Sequence, residues 1–64
     1  MPEDLITYIK RLVEFSKKQI ECVDKAVEQQ EWDTADFCAA NALNTLIRVR
    51  STIVNQLRFS KEGK

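Results

Sequence analysis

The 64-residue chain predicts an all-α fold: one antiparallel two-helix hairpin that pairs into a four-helix bundle. Three observations carry that prediction. Apolar residues recur at alternating spacings of three and four through both halves of the chain, the period of an amphipathic helix. The single proline and the single glycine are Pro2 and Gly63, so no helix breaker interrupts the interior. Near the midpoint the stretch QQEWDTADF, residues 29–37, interrupts the pattern with a helix-start signal.

The first helix is predicted over residues 3–29. Pro2 suits a first turn, where its missing N–H would be unpaired anyway, and Glu3 and Asp4 complement the positive dipole end. One row runs through Ile6, Ile9, Val13, Ser16, Ile20, Val23 and Val27, and its neighbour through Leu5, Tyr8, Leu12, Phe15, Gln19, Cys22 and Ala26. The opposite face carries Lys10, Glu14, Lys17, Lys18, Glu21, Asp24, Lys25 and Glu28. Glu14 with Lys18, and Glu21 with Lys25, have the favourable i, i+4 spacing.

The turn is predicted at residues 30–33. Asp33 is a preferred N-cap residue, and Asp36 three positions on makes an acidic variant of the capping box. Trp32 then falls before the cap and Phe37 at the fourth helical position, the two places of a hydrophobic staple. The expectation is that the indole packs on Phe37 and sets the direction of the second helix; the alternative, compatible with it if the indole is half exposed, is a contact with a partner.

The second helix is predicted over residues 34–59, with a frayed tail over 60–64. Ala39, Ala42, Leu46, Val49 and Ile53 form one row, and Ala40, Leu43, Ile47, Arg50, Val54 and Leu57 the next. Asn41, Asn44, Thr45, Arg48, Thr52 and Asn55 fall on the other side. Each helix would run about 40 Å at 1.5 Å per residue, and equal lengths on a short link indicate an antiparallel hairpin.

Each helix therefore carries two adjacent apolar seams, more than a lone hairpin uses. Packing a second pair of helices on the surplus covers it. The expected association face comprises Ile6, Ile9, Leu12, Val13, Phe15, Ile20 and Val23 of the first helix. The second contributes Leu43, Leu46, Ile47, Val49, Ile53, Val54 and Leu57. Ser16, Gln19 and Arg50 interrupt the rows, either as register-fixing polar groups in a core or as groups at the stripe edge.

Composition narrows the function further. A single domain this short is marginal without a disulfide, a metal or oligomerisation. Ten basic and ten acidic residues cancel, whereas a phosphate-binding domain is usually basic. The longest uncharged run, Phe37 to Ile47, is too short and too polar to span a bilayer. The N-terminus shows no apolar signal core. Cys22 and Cys38 lie on opposite arms at similar heights, so a bridge between them is geometrically conceivable; read instead as buried free thiols, they point to a reducing cytoplasm. The absence of histidine removes the usual activator of a nucleophile and the usual zinc ligand. Asp24, Glu28, Glu31, Asp33 and Asp36 gather at the turn without the glycine or spacing of a calcium loop. No enzyme activity, cofactor, metal or small-molecule substrate is expected.

This design resembles the Rop-type plasmid copy-number regulators, short hairpins that dimerise into four-helix bundles and bind paired RNA loops. The stretch EWDTADFCAANALNTLI, residues 31–47, is similar to the helix entry of HEPN-type bundles and of flagellar chaperone hairpins, although the arginine–histidine pair of nuclease-type HEPN domains is absent. The expected function is a non-enzymatic interaction module, a small adaptor, regulator or chaperone-like subunit that pairs with itself or completes another helical protein's bundle. The alternative is a Rop-like RNA-binding bundle using Lys10, Lys17 and Lys18.

Overall fold

The computed structural model describes residues 3–62, which form two helices, α1 (Glu3–Glu28) and α2 (Trp32–Glu62). They pack against each other as a hairpin of 52 × 18 × 12 Å. The α1 start matches the expected one, while the contribution expected of Pro2 lies outside the described residues. Helix α2 takes in Ser60, Lys61 and Glu62, which the sequence assigns to a frayed tail. Gly63 and Lys64 lie outside the described residues.

The turn closes in a way the residue types conceal. The Gln30 N–H donates to the Val27 carbonyl at 3.0 Å and the Glu31 N–H to the Ala26 carbonyl at 2.8 Å. This bond pair defines a Schellman motif. Gln30, at φ 59°, occupies the left-handed position that glycine usually fills. The Glu31 carbonyl then accepts the Ala35 N–H at 3.0 Å, the first bond of α2. One residue both ends α1 and opens α2, so the connection is only Gln29–Glu31.

That closure overturns the staple and the cap. With Glu31 at the cap, Trp32 is the first helical residue and Asp33 the second. Trp32 and Phe37 are both largely exposed, 63% and 66%, and a residue five positions along a helix stands on another side of it. The side-chain hydrogen bonds among the described residues are Lys17–Glu14, Thr45–Asn41 and Thr52–Arg48. Asp33 and Asp36 accept none of them.

The helices meet along one seam with a 3-4 repeat, the spacing that keeps a stripe facing its partner. On α1 it runs Leu5, Ile9, Leu12, Ser16, Gln19, Val23, Ala26, and on α2 Ala35, Cys38, Ala42, Thr45, Val49, Thr52, Gln56. All of these are buried or half-buried. The polar side expected for Thr45, Thr52 and Asn41 is thus corrected: Thr45 is buried and the other two are half-buried. Thr45 enters because its hydroxyl donates back to the Asn41 carbonyl at 2.9 Å, so its polar group is satisfied within the helix.

Cys22 and Cys38 are joined in a disulfide, with Cα atoms 6.2 Å apart. Of the two sequence readings, buried free thiols or a bridge between the arms, the structure has the bridge. The two cysteines stand at one level of the antiparallel pair, within the separation a bridge requires. The expected Glu14–Lys18 and Glu21–Lys25 pairs are likewise replaced. Among the described residues the ion pair is Lys17 Nζ–Glu14 Oε2 at 3.3 Å, one position closer along the helix.

Candidate association face

The buried side chains of the hairpin are small, with Leu5, Ile9, Leu12 and Val23 half-buried beside them in the seam. Among the described residues the buried apolar ones are Ala26, Ala35, Cys38, Ala42 and Val49, and no large side chain is fully buried. The bulk lies outside instead. Ile6, Phe15, Ile20, Val27, Leu43, Leu46, Ile47, Ile53 and Leu57 are each at least 40% exposed. The molecule exposes 5438 Å², against about 4,200 Å² for a compact monomer of this mass. Its radius of gyration is 15.2 Å, against about 11 Å for a compact chain of this length.

Heptad position decides which of these residues share a face. Antiparallel helices are related by a two-fold axis normal to the plane holding both, and that rotation keeps the upper face upper. Equivalent heptad positions of α1 and α2 therefore lie on the same side of the hairpin. The position following the second seam residue of each heptad holds Ile6, Val13, Ile20 and Val27 on α1. On α2 it holds Trp32, Ala39, Leu46 and Ile53. All eight are apolar, and they form one continuous face. Leu43, Ile47 and Leu57 extend it around the outside of α2, which is why the contrast between apolar and polar sides is sharper around α1 than around α2.

The other face is mixed. Tyr8 and Phe15 occupy the flanking position of α1 there, while α2 offers Thr34, Asn41, Arg48 and Asn55. Cys22 and Thr34 line one shallow depression on this side with Lys18, Lys25 and Gln29.

Several residues expected on the association face instead help close the hairpin. Val49 is buried, and Ile9, Leu12 and Val23 are half-buried in the seam. Ile6, Ile20, Leu43, Leu46, Ile47, Ile53 and Leu57 remain outward. Val13 and Val54 are half-buried beside them, and Phe15 is exposed on the opposite face. Of the polar interruptions, Ser16 is 2% exposed and its Oγ has no hydrogen-bond partner among the described residues. Arg50 is exposed at the stripe edge. Trp32, placed in the turn by the sequence, belongs to the apolar face at its tip end.

Lys10, Arg11 and Lys18 line a depression over Glu14 and Phe15, while Lys17 is turned toward Glu14. Among the described residues no three histidine, cysteine, aspartate or glutamate side chains come together as a metal site. Comparison with known proteins finds no matching family model, no similar curated protein and no similar solved structure.

Proposed function

We propose that the protein is a non-enzymatic helical-hairpin association module, acting as a small adaptor, regulator or chaperone-like subunit. It buries its outward apolar face against further helices to complete a four-helix bundle. One observation carries this reading: most of the large apolar side chains lie outside the hairpin, while the side chains buried inside it are small ones, Ala26, Ala35, Ala42, Cys38, Val49, Ser16 and Thr45, flanked by half-buried Leu5, Ile9, Leu12 and Val23. Soluble monomers avoid contiguous apolar strips of this kind, and burial of such side chains is worth roughly 1.5–3 kcal/mol each.

The test is sedimentation combined with chemical denaturation at micromolar concentration. Assembly, or a loosely folded chain awaiting its partner, supports the reading; a well-folded, stable monomer overturns it. In an assembled sample, the Ile20→Lys/Leu46→Lys double variant should reduce the species to one chain.

A second reading, a Rop-like RNA-binding bundle, has one observation in its favour: Lys10, Arg11 and Lys18 gather around Phe15. Charge reversal at Lys10 and Lys18 would then abolish salt-dependent binding of a paired RNA loop.

No helix among the described residues is long and apolar enough to cross a membrane. Free thiols are one ground of the cytoplasmic expectation, and the Cys22–Cys38 bridge removes it, because disulfides persist chiefly in oxidising compartments.

A further inference from the structure

The outward face of α2 is complementary to itself about a single residue. From this we propose that the face is occupied by a second copy of the chain, lying antiparallel so that a two-fold axis passes beside Leu43. The inference rests on the association reading above and adds the partner, its orientation and its register.

An antiparallel contact between two α2 helices centred on Leu43 sets each residue before it against the residue equally far after it in the second copy. Asp36 and Arg50 lie seven positions to either side. Both are exposed, and neither takes part in an ion pair among the described residues. The register therefore brings each Asp36 to the Arg50 of the other chain, twice by symmetry, as an isologous interface requires. Size matches as well as charge. Ala39 and Ala40 fall against Ile47 and Leu46 of the second copy, small against large, and Trp32 falls against Val54.

Helix α1 leads to the same axis independently. The disulfide puts Cys22 level with Cys38, so Lys17, five residues further from the turn, is level with Leu43. The apolar row Ile6, Val13, Ile20, Val27 is itself centred between Ser16 and Lys17. One axis thus serves both helices, placing Val13 near Ile20 and Ile6 near Val27 of the second copy.

Charge selects the antiparallel arrangement over the parallel one. Acidic Asp24, Glu28, Glu31, Asp33 and Asp36 outnumber Lys25 at the tip, whereas Lys10, Arg11, Arg48, Arg50 and Arg58 outnumber Glu3, Asp4 and Glu14 toward the open end. Tip over open end pairs opposite signs, while tip over tip would set acid on acid. The area is sufficient. One chain exposes 5438 Å², and a compact particle of twice its mass exposes about 7,000 Å². Pairing two chains would then remove roughly 3,900 Å², within the range of obligate homodimers.

The experiment exchanges the charges. Asp36→Arg alone sets arginine against arginine, and Arg50→Asp alone sets aspartate against aspartate. Each should self-associate roughly tenfold or more weakly than the wild type, with helicity by circular dichroism confirming that the chain still folds. An equimolar mixture of the two variants restores both opposite-charge contacts and should form a heterodimer, and the double variant Asp36→Arg/Arg50→Asp should regain the homodimer. A wild-type dimer with unaffected single variants and no preference in the mixture overturns the register while leaving the association reading intact. A wild type that stays a loosely folded monomer overturns the second-copy assignment in favour of a different helical partner. A stable, well-folded monomer overturns both.

Discussion

Gln30 adopts φ 59° because the chain must reverse within three residues, and the left-handed conformation brings the Gln30 and Glu31 N–H groups onto the last carbonyls of α1. A side chain with a Cβ pays about 1–2 kcal/mol there, whereas glycine is free of that clash. Gln30→Gly should therefore stabilise the protein by about 1 kcal/mol, read as a higher denaturation midpoint; an unchanged or lowered midpoint would count against the Schellman turn. Ser16 presents the opposite case, a buried hydroxyl without a partner among the described residues. Ser16→Ala removes an unsatisfied polar group and raises helix propensity, so it should add about 1 kcal/mol in the same measurement. Ser16 is legible in the sequence as a polar interruption of an apolar row, whereas the left-handed turn is not. A glutamine does not announce a left-handed position, and Trp32–Asp33 imitates a staple and cap because those signals rest on residue type, while the residue at the cap position is Glu31, whose carbonyl accepts the first bond of α2.

At the scale of the elements, the helical period and the hairpin are legible because 3-4 spacing constrains every turn of both helices. The α2 seam is harder to find. Hydrophobicity draws the eye to Leu43, Leu46, Ile47 and Ile53, yet those face outward, and the facing edge is Ala35, Cys38, Ala42, Thr45 and Val49. Small size at regular spacing, including a threonine that satisfies its own hydroxyl, was the available signal, since close helix contact favours small residues over merely apolar ones. So small an interior makes the covalent tie between the helices important. The disulfide spans a sequence separation of 16, and closing a loop of that length stabilises by about 3 kcal/mol in the chain-entropy model. A Cys22→Ala/Cys38→Ala variant, or reduction of the native chain, should lower the unfolding free energy by about that amount in urea titration. A loss below about 0.5 kcal/mol would mean the arms are already held in the unfolded ensemble.

For the whole molecule, the question is whether 64 residues with this inside-out distribution form a complete folding unit. If the outward face is covered by a second copy, the folded state exists only as the pair, and mass action ties stability to concentration. Each tenfold rise in protein concentration then adds about 1.4 kcal/mol per dimer to the unfolding free energy, which moves the thermal midpoint upward by several degrees for a particle of this size. A monomeric hairpin unfolds within one chain, so its midpoint does not move with concentration. Thermal melts followed by circular dichroism from about 1 to 100 μM separate the two cases. Disulfide-intact protein should show a concentration-dependent midpoint, and the Ile20→Lys/Leu46→Lys variant should lose both that dependence and much of its stability, because it removes the cover along with the contact. A wild-type midpoint constant across the series would show that the alanine seam and the disulfide alone hold the fold, leaving the apolar face with no structural role in it.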